Sequence, residues 1–196
     1  ELVYGSDTET VHPEGGILYK LDPAKVMFSS GNFEEKQSMR RLPCAGETVV
    51  DMFAGIGYFT LPMAKHASPR LVWACELNPD SYGYLRENIQ MNGVEDRVIA
   101  VLGDNRSLLG TRFADRILMG YIGGTAAFLP KAFAMAKQGG LIHFHERYGL
   151  DHLPDRMLAE IKDNCAGRRY EVLGWREVKS FGPATIHIVA DIRVLD

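Results

Sequence analysis

The stretch Val49-Val50-Asp51-Met52-Phe53-Ala54-Gly55-Ile56-Gly57-Tyr58-Phe59-Thr60 constrains this chain more than any other. A short apolar run closes on an acid, passes two glycines one residue apart and continues with helical periodicity. The pattern predicts a strand, a tight turn and a helix start, the first unit of a nucleotide-binding α/β sheet. Gly55 and Gly57 permit a sharp turn and a close backbone approach to a ligand. Thr60 stands where the dinucleotide fingerprint has its third glycine, so the spacing departs from that motif. On these residues alone, an ordinary glycine-containing βα turn remains an open alternative.

Two further acids narrow the choice. Leu71–Glu76 reads as the next strand and ends on Glu76, ahead of the helix start Asn78-Pro79-Asp80. An acid closing the second strand of such a unit suits the two ribose hydroxyls of an adenosine. A third strand over Val98–Leu102 runs into Gly103-Asp104-Asn105-Arg106, where Asp104 and Asn105 are placed to read an adenine edge. Asp51 at the first strand end is wrong for a pyrophosphate, which is better met by bare amides, and right for a cation. S-adenosylmethionine, with its sulfonium and ammonium, satisfies all three acids.

Composition bounds the rest. A chain of 196 residues, 46% of them hydrophobic, has enough apolar material for one sizeable domain and an appendage. No run resembles a membrane span. Cys44, Cys75 and Cys165 are widely spaced and odd in number, which argues for free thiols in a reducing, cytoplasmic setting and against a disulfide framework or zinc site. The net charge of −3 does not advertise nucleic-acid binding and does not exclude it. The chain opens at Glu1 without Met or a signal-peptide pattern, so a longer N-terminus is expected.

In chain order, residues 1–31 read as the remnant of a small β-rich module. A hairpin is expected within residues 10–21, and residues 32–196 form the catalytic domain. A helix over residues 33–42 is expected to carry a capping box made by Asn32 and Glu35. Crossover helices follow at residues 58–66 and 79–92, a fourth strand at 114–120, and a helix at 126–137. A fifth strand at 141–145 puts His143 and His145 on one face, a final helix covers 153–168, and two closing strands cover 170–175 and 185–194. The result is a Rossmann-like α/β fold with a mostly parallel seven-stranded sheet ending in an antiparallel edge hairpin. Its ligand is expected at the carboxyl ends of the strands, where strand order reverses.

Four of these stretches, KVMFSSGNFEEK, VVDMFAGIGYFTLP, GDNR and ADRILMGY, resemble a group of archaeal and eukaryotic tRNA enzymes. The group acts on the purine next to the anticodon, and the resemblance covers residues 10–196. It contains a guanine-N1 methyltransferase and a relative in wybutosine synthesis, which moves the 3-amino-3-carboxypropyl group of S-adenosylmethionine onto a tricyclic guanine derivative. The methyltransferase branch carries an Asn-Leu-Pro type motif after the fourth strand and an Arg before the helix at Phe33. Here the corresponding residues are Met119-Gly120-Tyr121 and Ser29-Ser30-Gly31-Asn32, which resemble the aminocarboxypropyl branch.

The resemblance implies a donor site made by Ser29, Lys36, Asp51, Phe53, Gly55, Gly57, Glu76, Asp104 and Asn105, with Lys36 meeting the carboxylate of the methionine arm. It implies tRNA as partner, no membrane, and S-adenosylmethionine as the donor without a metal; the oligomeric state is left open, a monomer being favoured. No general base stands out. Arg40, Arg41, Arg168 and Arg169 are candidate phosphate contacts, with a solvated surface the plainer alternative for each. The sibling methyltransferase, a small-molecule methyltransferase and a non-catalytic module that binds S-adenosylmethionine remain the competing readings.

Overall fold

The computed structural model describes residues 8–28 and 32–196. A hairpin of β1 (Thr10–Glu14) and β2 (Ile17–Leu21) leads into α1 (Phe33–Met39). The sheet strands follow as β3 (Thr48–Asp51), β4 (Leu71–Glu76), β5 (Val98–Leu102), β6 (Ala114–Met119), β7 (Ala136–Gly149), β8 (Tyr170–Gly182) and β9 (Thr185–Val194). Between them lie α2 (Thr60–His66), α3 (Pro79–Met91), α4 (Leu129–Met135) and α5 (Asp155–Asp163).

The seven strands lie in the order β5-β4-β3-β6-β7-β9-β8. From β5 through β7 all neighbours are parallel, and β9 then pairs antiparallel with both β7 and β8. The chain walks outward from β3 to β5 and returns to the other side of β3 with β6. That reversal opens a crevice above the carboxyl ends of β3 and β6. Every residue of β3 is buried, as a central parallel strand covered on both faces requires. Two apolar clusters fill the two sides of the sheet, one around Val49, Leu61 and Leu85, the other around Phe133, Phe144 and Ile188.

The hairpin packs on the sheet domain through Ile17, Tyr19 and Leu21, which join the first cluster. Asn88 and Asn92, one turn apart on α3, bond its outer edge. Their side-chain oxygens accept from the N–H groups of Lys20 (2.6 Å) and Leu18 (3.0 Å), and their amide nitrogens donate to the same two carbonyls. Asn88 also donates to the Ile56 carbonyl at 3.1 Å.

Several boundaries differ from the sequence expectation, each for a local reason. Helix α2 begins at Thr60 rather than Tyr58, because the Thr60 hydroxyl is pinned to the Asp51 carboxylate at 2.8 Å and the preceding turn contains Gly57 at φ +105°. Asn32 makes no capping bond to α1, and Glu35 is turned inward to Arg176 (2.8 Å and 2.7 Å), so no capping box forms. Helix α4 stops at Met135, and the strand expected at residues 141–145 starts already at Ala136. Helix α5 ends at Asp163, two residues after its last buried apolar side chain, Ile161.

Candidate functional site

A cavity of about 710 Å³ lies across the carboxyl ends of β3, β4, β5 and β6. Phe53 and Gly55 enter it from the turn after β3, Glu76 from the end of β4, Asp104 and Asn105 from the turn after β5. These are five of the nine residues expected from the sequence. The turn is built as its glycines require. Gly55 has φ +57°, and a Cβ there would lie 2.6 Å from the Tyr58 ring. The Glu76 carboxylate accepts from the Gly55 amide and the Asn78 amide, each at 2.8 Å. Glu76 is among the residues that line the cavity.

The other four residues fall elsewhere. Asp51 is only 1% exposed and sits behind the cavity wall, where its carboxylate accepts from Thr60 and from the Phe53 amide (3.2 Å). Burial pushes its pKa up to about 6. Asp51 thus shapes the turn and does not line the cavity, where the sequence placed it against a cation. Gly57 also faces inward, its missing Cβ leaving room for Leu61 and Leu85, so its freedom serves packing. Ser29 lies outside the described residues.

Lys36 lines a second cavity of about 400 Å³ next door. Its ammonium is 2.5 Å from the Glu14 carboxylate and 4.3 Å from the centre of the Phe28 ring, with Tyr19 and Tyr58 about 6 Å away. The two cavities share Phe53, Tyr58, Gly120 and Tyr121 as their common wall. Phe53 and Tyr121 stack with centroids 5.0 Å apart, and Phe128 meets Phe53 edge-on at 4.9 Å.

Sequence reasoning missed the acid that fixes the far side. Glu146, buried on β7, accepts from the backbone N–H groups of Gly123 (2.7 Å), Gly124 (2.8 Å), Thr125 (2.8 Å) and Arg147 (2.9 Å). Its carboxylate clamps the loop after β6, which supplies Gly120, Tyr121, Gly123 and Gly124 to the cavity. The glycine pair was the available signal, since consecutive bare amides at φ +96° and +99° form an anion-holding concavity. Asp104 accepts from the Arg106 backbone N–H (2.9 Å) and from its guanidinium (3.0 Å and 2.6 Å), bonds that hold its carboxyl below the usual range. Cys75 lines the cavity as a buried thiol raised by burial to about 12, hence unreactive.

The histidines divide. His143 bridges Arg116 (2.7 Å) and Asp191 (2.6 Å) in a structural network, while His145 bonds His187 at 3.0 Å behind the second cavity. Arg168 ties the Phe133 carbonyl to Asp196 and is a structural residue. Among the described residues no cluster of three or more His, Cys, Asp or Glu is placed to hold a metal. Nor, among the described residues, is any helix long and apolar enough to cross a membrane.

A parallel sheet that turns back at its first strand, carrying an acid-and-aromatic cavity at that point and an antiparallel hairpin at its edge, is the Rossmann-like fold of S-adenosylmethionine-dependent transferases. Within that class, the model of the TRM5/TYW2 methyltransferase domain matches residues 10–173, and the chain belongs to this family. It is 43% identical over 195 residues to the tRNA(Phe) (4-demethylwyosine(37)-C(7)) aminocarboxypropyltransferase of Methanocaldococcus jannaschii, across 98% of this chain and 78% of that protein. The structure of P. horikoshii TYW2 in complex with MeSAdo superposes with a TM-score of 0.94 at 44% identity, over 100% of this chain and 74% of that one. M. jannaschii TYW2 in complex with AdoMet gives 0.94 at 42% identity, over 100% and 90%.

Proposed function

We propose that this chain transfers the 3-amino-3-carboxypropyl group of S-adenosylmethionine to a tricyclic guanine derivative beside the tRNA anticodon, releasing methylthioadenosine. The observation that carries this reading is the pair of adjoining cavities with a common aromatic wall. The larger one holds the adenosine half: Glu76 takes the ribose hydroxyls and Asp104 and Asn105 the adenine edge, in a cavity whose apolar lining includes Phe53 and Phe128. The wall of Phe53, Tyr58 and Tyr121 then lies at the sulfonium, whose charge the ring faces favour. The smaller cavity takes the arm, with Lys36 toward its carboxylate.

In the reaction a ring carbon of the base bonds to Cγ of the arm, the S–Cγ bond breaks with its electron pair staying on sulfur, and the ring carbon then loses its proton to water. Of the three carbons on sulfur, the one that reacts is the one held in line with the acceptor. Gripping the arm at Lys36 rather than leaving it loose is therefore what selects Cγ. At the end of β6, Met119-Gly120-Tyr121 places a bare backbone and an aromatic ring at the wall, where the methyltransferase branch has its Asn-Leu-Pro type motif. A cytoplasmic setting belongs to the same proposal, supported by three unpaired thiols.

The test uses S-adenosylmethionine labelled separately in the methyl and the carboxyl carbon, with tRNA carrying the tricyclic base. Carboxyl label alone is expected in the tRNA. Methyl label alone identifies a methyltransferase, and no label despite binding identifies a non-catalytic module.

A further inference from the structure

The second cavity is larger than the arm's carboxylate needs, and its far end is built by residues that the donor reading does not use. Arg147 on β7 and Lys179 on β8 both stand opposite His187 of the intervening strand β9. Residues opposite one another across neighbouring strands project on the same face, so the two cations flank one spot. Phe181, two residues beyond Lys179, is 48% exposed, with the Lys179 ammonium 5.1 Å from its ring centre and His187 packed against its inner side. All three line the cavity that shares the aromatic wall.

The charges there are uncompensated. Among the described residues, neither Arg147 nor Lys179 has a side-chain hydrogen bond or ion pair to an acid. The acids close by are already spent, Glu146 on four backbone amides and Glu35 on Arg176. Two open cations beside an uncovered aromatic face, on a chain of net charge −3, match one kind of ligand well. A base displaced from a strand brings both a flat face to stack and a phosphate on either side.

We propose that Arg147, Lys179 and Phe181 form the wall that receives the acceptor nucleotide, Phe181 stacking on its base and the two cations taking the flanking phosphates. The proposal rests on the activity given above and assigns its second substrate to specific side chains. The base then enters from the β8–β9 edge and meets the donor across Phe53 and Tyr121, opposite the adenosine.

The experiment measures tRNA binding by the full chain against salt concentration, in parallel with methylthioadenosine binding. Arg147→Ala with Lys179→Ala is expected to weaken tRNA binding tenfold or more and to flatten the log–log salt slope by about 1.5 to 2, the share of two phosphates. Phe181→Leu is expected to weaken it about fivefold or more with the slope unchanged, and Phe181→Trp to restore it. Methylthioadenosine affinity stays at the wild-type value in all three, which also shows that they are folded. Wild-type tRNA affinity and slope in the double variant overturn the proposal, as does a loss confined to S-adenosylmethionine, which would reassign the cations to the arm. Carboxyl label reaching tRNA in the wild-type protein is read separately, so a failure of the activity is distinguishable from a failure of the wall.

Discussion

The Glu76 carboxylate accepts a hydrogen bond from the amide of Gly55 at 2.8 Å, so the acid that ends β4 holds the turn that follows β3. On the proposed function, ribose recognition and the shape of the glycine turn then depend on one side chain. Glu76→Ala is expected to weaken S-adenosylmethionine and methylthioadenosine alike, because both carry the ribose. Hydrogen bonds to a charged group are worth about 1.5–3 kcal/mol, or roughly tenfold to a hundredfold in affinity. Calorimetry with both ligands checks this, and unchanged affinities would remove Glu76 from the site.

Lys36 is expected to show the complementary profile. Replacing it by Met should reduce S-adenosylmethionine affinity and spare methylthioadenosine, which has no arm. It should also destabilise the protein, since Glu14 is left as a half-buried charge without its partner, a change that costs about 3–5 kcal/mol in buried pairs. Adding Glu14→Gln is expected to recover stability and leave the donor preference lost. If the double variant regains discrimination between the two ligands, the lysine supports the hairpin and does not hold the arm.

Glu146 gives a third test, away from any direct ligand contact. Glu146→Gln leaves a single carbonyl oxygen for amides that now converge on two. The loop over residues 120–125 should loosen, lowering the melting temperature and weakening methylthioadenosine. Equal melting curves for the variant and the wild type would show that the loop holds its shape without this clamp.

Acid should destabilise the fold through the histidine pair. Burial lowers the pKa of His187 to about 4 and that of His145 well below its ordinary value, so both are neutral in the folded protein. The unfolded chain binds protons on them below about pH 6.5 while the folded chain does not. Their contribution is complete above that pH and is lost as pH falls toward 4. Asp51 works the other way, because its raised pKa of about 6 makes the folded state take up a proton first. Denaturant titrations between pH 7 and 4.5 should therefore show falling stability, flatter in His187→Phe and steeper in Asp51→Asn. The reverse order of the two variants would contradict the assignment.

What the sequence revealed and what it hid follow a physical division. Acids at strand ends are legible because strand, turn and acid are contiguous, so the expectation that Glu76, Asp104 and Asn105 share one cavity came with the fold that places them. Asp51 and Gly57 were legible as a motif, but not their placement behind the cavity wall, since facing the cavity or the core depends on a local rotation that spacing does not encode. Glu146 and Glu35 were hidden, because their partners lie 21 to 23 and 141 residues away. The helix expected to run through Ala136 and Lys137 has good local propensity. It gave way to sheet pairing, where Ala136 stands opposite Ala114 and the Lys137 ammonium reaches Asp115 at 2.8 Å.

The asparagine pair on α3 has a mechanical consequence. By donating to and accepting from Leu18 and Lys20, the two amides offer β2 what a third strand would offer, and they close an edge otherwise open to another chain. Asn88 reaches at the same time to the carbonyl of Ile56, the residue between Gly55 and Gly57. The hairpin is thus levered directly on the turn that lines the donor cavity. One side chain, Asn88, ties the hairpin to that turn.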